Sequence, residues 1–207
     1  VKVKHRFGPV LPVPYVQGIP SHPDVIAVLT EAEEQRISTF GGTWHTDFSF
    51  LAEPPARTLL YSVELPPVGG DTIWASQYLA YDALSDGMKA LLEPLKAIHT
   101  GWPHGTMGPN PDVPVSRSIK MVRNDPTADR EVAHPVVRVH PVTGRKALFV
   151  NPVYTHLHVD IKELSQDQDT NLKSDLKVGK CLFKDVFLNL DSKTLIVLNT
   201  KQSTWIL

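Results

Sequence analysis

His45 and Asp47 stand two residues apart in the run GGTWHTDFSF, residues 41–50. If that run is a strand, the imidazole and the carboxylate project to one face, because strand side chains alternate. Together they offer one nitrogen and one anionic oxygen to a divalent cation. Two histidines and one carboxylate, with the opposite face open, form the arrangement of non-haem Fe(II) oxygenases. Taken alone, such a pair is more often a solvated or hydrogen-bonded couple than a metal site.

The elements that would position the pair are read from apolar periodicity. RTLLYSVEL (57–65) has a strand pattern closed by the turn PPVGG, and DTIWAS (71–76) reads as a short strand after the paired glycines. Residues 76–99 place Leu79, Leu84, Met88, Leu91, Leu92 and Leu95 at helical spacing. Ser76 is the expected N-cap, while Gly87 and Pro94 weaken or interrupt that helix. Residues 100–117 are too rich in glycine and proline for regular structure and read as a lid or binding loop. HPVVRVHPVTGRKALFVNP (134–152) alternates around Thr143 and Gly144, a hairpin signal.

Composition narrows the classes. A chain of 207 residues predicts one domain with a sizeable core. A net charge of −1 gives no electrostatic reason to expect nucleic acid or an anionic membrane as partner. No apolar run reaches the ~18 residues of a membrane span. The opening VKVKHRFGPV lacks the apolar core of a signal peptide, so a cytoplasmic protein is expected. The single cysteine, Cys181, excludes an internal disulfide framework and reads as a passive buried thiol.

The composition also changes along the chain. Every proline lies at or before Pro152, every arginine at or before Arg145, and every histidine at or before His158. Residues 159–207 carry seven lysines and none of those three types. The tail is expected to be either a segment of different local composition or one of foreign origin.

The motifs WHTD, then PP, then an aliphatic run, then GGDTIWAS resemble the taurine/alpha-ketoglutarate dioxygenase family, TauD/TfdA. HPVVRVHPVTGRKALFVNP resembles a later block of the same family, and the likeness runs from about Arg6 to about Ser165. The resemblance implies a mainly β fold with flanking helices, a double-stranded β-helix (a cupin-like jelly roll) that is incomplete on its C-terminal side. It implies a partial oxygenase domain over residues 1–165 and a divergent tail over 166–207. It also implies Fe(II), 2-oxoglutarate as co-substrate, O2, and a small-molecule substrate of anionic character.

Carried across by position, His45 and Asp47 match two iron ligands, which makes them the catalytic residues. Thr72 matches a threonine that helps hold the distal carboxylate of 2-oxoglutarate. The family's third ligand, a downstream histidine, and an arginine that pairs with 2-oxoglutarate have no counterpart from Gln166 onward. His156 and His158 share a strand face by spacing. His134 and His140 read as strand-end hydrogen-bonding residues, His99 and His104 as loop-bordering residues facing substrate or solvent, and Trp44 and Trp74 as packing. The opening is expected to lack a preceding helix and strands, and PVLPVPY (9–15) holds no histidine, which counts against a taurine specialist.

Two other classes stay open. One is a non-catalytic β-barrel acting in binding or as a homo-oligomer. The other is a cupin-like metal hydrolase or isomerase, against which the GGDTIW segment counts.

Overall fold

The computed structural model describes residues 10–29, 41–68, 72–106, 108 and 119–156. Expectations for His158, Cys181, residues 109–117 and the tail 166–207 lie outside them. Two compact units emerge, one from Val1–Trp44 with Thr100–Arg130 and the other from His45–His99 with Glu131–Leu207.

In the second unit, α1 spans Gln77–Asp82 and α2 spans Asp86–Leu92. The Ser76 hydroxyl accepts the Leu79 N–H at 3.3 Å, so the expected N-cap is present. The single long helix predicted for residues 76–99 is instead two short helices and a strand. Ser85 caps α2 by accepting the Met88 N–H at 3.3 Å, with Asp86 in the first turn, where a carboxylate favours the helix dipole. A second cap inside an apolar stripe restarts the helix, and the stripe changes phase. Leu84 and Leu92 are buried and Met88 and Leu95 pack beside them, while Leu79 and Leu91 face outward.

The last four residues of that predicted helix form β1, Lys96–His99. Tertiary pairing overrides the helical pattern there. β1 is the centre of a three-stranded antiparallel sheet, between β2 (Val132–Pro135) and β5 (Thr155–His156). Pro135 sits on the edge strand, where a missing N–H is tolerated. The predicted hairpin is present: β3 (Val137–Val139) pairs antiparallel with β4 (Lys146–Leu148), with Val137 opposite Leu148. Gly144 turns it at φ +69°, a conformation open to glycine and strained for other residues.

The helices and both sheets enclose one apolar cluster, Ala80, Tyr81, Leu84, Leu92, Ala97, Val136, Val137 and Leu148. Each of its leucines contributes about 1.5–3 kcal/mol through burial.

Two expected strands are not formed. Residues 57–65 and 72–76 belong to no ladder, and Leu60, Tyr61 and Val63 are 64%, 87% and 88% exposed. An aliphatic run becomes a strand only when a neighbour takes its N–H and C=O groups, and no described residue does so. Trp44 and Trp74 are 37% and 39% exposed rather than packed inside.

The first unit is held by loops. Gln17 N–H donates to the Lys120 carbonyl at 2.9 Å and Val122 N–H to the Tyr15 carbonyl at 2.8 Å. Two 3-10 turns, Trp102–His104 and Pro126–Asp129, are linked by the Asp125 N–H, which donates to the His104 carbonyl at 2.9 Å. His104 was expected at a solvent or substrate border. It is buried instead, stacked on Tyr15 with centroids 5.2 Å apart and donating Nδ1–H to the Val122 carbonyl. No helix among the described residues is long and apolar enough to cross a membrane.

Candidate metal centre

The run that carries His45 and Asp47 is a turn, not the expected strand. Ser49 N–H donates to the Thr46 carbonyl at 3.3 Å and Leu51 N–H to the Phe48 carbonyl at 3.0 Å. Phe48 sits at φ +52°, a left-handed conformation uncommon for a bulky residue. The two side chains therefore converge by turning, not by strand alternation. His45 Nε2–H donates to Asp47 Oδ1 at 3.0 Å, and the side chains are 26% and 31% exposed.

Both oxygens of Asp47 are engaged. The Thr58 hydroxyl donates to Oδ2 at 2.8 Å. Burial pushes the Asp47 carboxyl up, but the His45 hydrogen bond and charge, with the Thr58 hydroxyl, outweigh it and leave the group below the ordinary carboxylate range. A partner on the far oxygen orients a ligating carboxylate, and Thr58 occupies that place. A cation taking both donors would displace the proton shared by His45 Nε2 and Oδ1, as metal binding to imidazole generally does.

Tyr154 stands beside the pair. Its ring meets His45 edge-on with centroids 6.3 Å apart and packs on Phe50 at 4.8 Å. Burial, and then the Asp47 charge, push its phenol well above the ordinary tyrosine range, so it is neutral at physiological pH.

Behind the turn lies a buried polar cluster. Ser49 and His99 are both 0% exposed and share a hydrogen bond of 3.1 Å from His99 Nδ1 to Ser49 Oγ. His99, expected to border a loop, is thus a core residue of β1. His134 Nε2–H donates to the Leu51 carbonyl at 2.9 Å, and the Val142 and Thr143 N–H groups donate to His140 Nδ1 at 3.1 and 2.9 Å. Those are the backbone-bonding roles their positions suggested. His156 belongs to β5, with its backbone opposite Ile98.

The structure brings His45 and Asp47 together. Thr72 is exposed and lies outside any helix or strand. Among the described residues, no group of three or more His, Cys, Asp or Glu could hold a metal ion. The donor chemistry of the pair suits Fe(II), and the described residues do not complete a site around it. Sequence reasoning missed Thr58, Tyr154, Ser49 and Asn151. Thr58 and Asn151 each stand within runs read as strands, where no spacing rule marks a hydrogen-bonding partner.

The sequence pattern described as "Taurine catabolism dioxygenase TauD, TfdA family" matches residues 1–175. The alpha-ketoglutarate-dependent dioxygenase cnsP of Penicillium expansum is 33% identical over 177 residues, covering 80% of this chain and 45% of its own. The alpha-ketoglutarate-dependent sulfonate dioxygenase of Saccharomyces cerevisiae is 34% identical over 134 residues, 65% of this chain and 30% of its own. The chain thus spans less than half the length of these two relatives. A solved structure from Burkholderia xenovorans, assigned as an alpha-ketoglutarate-dependent taurine dioxygenase, superposes with a TM-score of 0.56 at 25% identity. That superposition covers 88% of this chain and 54% of the other. The family match takes in the whole turn from His45 to Leu51, and this chain belongs to the TauD/TfdA family.

Proposed function

We propose that residues 1–165 carry part of an Fe(II)- and 2-oxoglutarate-dependent dioxygenase on a double-stranded β-helix, followed by a divergent tail over 166–207. The reaction would hydroxylate a small organic anion with O2, converting 2-oxoglutarate to succinate and CO2. The Saccharomyces cerevisiae relative is named for sulfonates, which supports an anionic substrate class.

One observation carries this reading: the left-handed turn aims His45 Nε2 and Asp47 Oδ1 at each other at 3.0 Å, with Thr58 holding the second carboxylate oxygen. His45 and Asp47 would hold the iron, and Thr72 would contact the distal carboxylate of 2-oxoglutarate. Tyr154 would wall the site as a neutral phenol and limit water.

Anaerobic Fe(II) titration tests the reading. Wild-type protein is expected to bind Fe(II), and His45→Ala and Asp47→Ala each to weaken binding at least about tenfold, since affinity follows ligand count. Binding left unchanged by both substitutions would overturn it.

A second reading, a non-catalytic jelly-roll domain that binds a partner or its own copy, is favoured by the exposed run 59–68 and the two-ligand set. Succinate release from 2-oxoglutarate separates the two. Turnover that depends on His45 supports the first, and Fe(II) binding with no turnover supports the second.

A further inference from the structure

Asn151 is 2% exposed, and each end of its side chain is engaged. Nδ2 donates to Ser49 Oγ at 2.9 Å, and Oδ1 accepts the N–H groups of Val153 at 3.2 Å and Tyr154 at 2.9 Å. Its backbone N–H donates to Thr155 Oγ1 at 2.8 Å. Ser49 belongs to the turn that carries Asp47. Tyr154 is the ring beside His45.

One amide is therefore bonded to the metal-pair turn on its donor side and to the aromatic wall on its acceptor side. An amide offers donors and an acceptor at opposite ends, and neither a carboxylate nor an aliphatic isostere does both. The turn also needs outside support, because Phe48 at φ +52° holds it in a conformation its own backbone disfavours.

We propose that Asn151 is a positioning residue for the His45 and Asp47 pair, setting the turn through Ser49 and the Tyr154 wall through its amide oxygen. The proposal rests on the reading of that pair as a metal site.

The test uses the full chain without metal, following the ring signals of His45 and Tyr154 by NMR. Asn151→Ala is expected to shift both sets of signals. Ser49→Ala, the milder change, should shift His45 and leave Tyr154 nearly in place. Leu148→Ala, a core truncation with no bond to the turn, should lower Tm and move neither. Co(II) titration adds a second readout, with affinity in Asn151→Ala expected to fall at least about tenfold, as for partners that orient ligands. His45 signals unmoved in both Asn151→Ala and Ser49→Ala would overturn the proposal, as would an equal shift in Leu148→Ala. If wild-type protein binds no Co(II), the metal reading fails, while the metal-free NMR comparison still decides whether Asn151 positions His45.

Discussion

Thr46, Ser49 and Phe50 are buried, and the turn they form is tied to Asn151, His99 and His134 by side-chain hydrogen bonds. A few residues further along, Leu59, Leu60, Tyr61, Val63, Leu65 and Val68 are each more than half exposed, and no described strand pairs with them. The turn is the more polar of the two and the better buried, an inversion of the usual rule that apolar residues go inside. Short polar side chains satisfy one another locally, so a turn can close on its own unit. An aliphatic strand needs a neighbouring backbone, and none of the described residues supplies one to this run.

That contrast can be broken at several points. Asn151→Ala removes three side-chain hydrogen bonds from a buried site and should cost about 2–4 kcal/mol, read from urea denaturation. A loss below about 0.5 kcal/mol would mean the polar cluster does not hold the turn.

Acid should loosen the second unit at two places, the turn beside His134 and the hairpin beside His140. Burial holds the His134 imidazole below its ordinary value of 6.5, and burial does the same to His140. The unfolded chain then binds more protons than the folded one as pH falls past about 6.5. This contribution is fully present above that pH and is lost on acidification toward the folded values. Urea midpoints at pH 7.5 and 5.5 should differ, and His134→Gln should shrink the difference. A midpoint that rises on acidification would contradict the burial of these rings as neutral groups.

Gly144→Ala probes the hairpin, a ladder that has found its partner. Nothing lies within 4 Å of a Cβ at that position, so only the φ of +69° opposes the change, and about 1 kcal/mol of stability should be lost. Val63→Thr, in the exposed run, should change stability by less than about 0.5 kcal/mol, because the residue is 88% exposed. Its effect should appear in light scattering as reduced self-association, since long exposed apolar runs promote edge pairing. If Val63→Thr destabilises as much as Gly144→Ala, the Val63 side chain is not exposed as described.

What could be read in advance follows the same division. The Ser76 cap and the hairpin around Gly144 were legible because local hydrogen bonding and backbone freedom decide them. That His45 and Asp47 lie together was legible through their spacing, although the turn joining them was not, since nothing in WHTDFSF announces a left-handed phenylalanine. Residues 96–99 fit a helical stripe by spacing, yet β2 and β5 claimed them as the centre of a sheet. Pairing of that kind is decided by residues far along the chain. Asn151 closed the strand-like run and gave no sign that its amide joins two walls. Thr72 was singled out by resemblance alone, because no local pattern marks a strand threonine as a ligand-binding group.

The left-handed phenylalanine has a kinetic consequence. A turn that would relax if released does not loosen by degrees; it stays closed or opens as a unit. The amides of Ser49 and Leu51, which close it, should therefore exchange hydrogen at one shared rate, and His45 and Asp47 should separate in that same event.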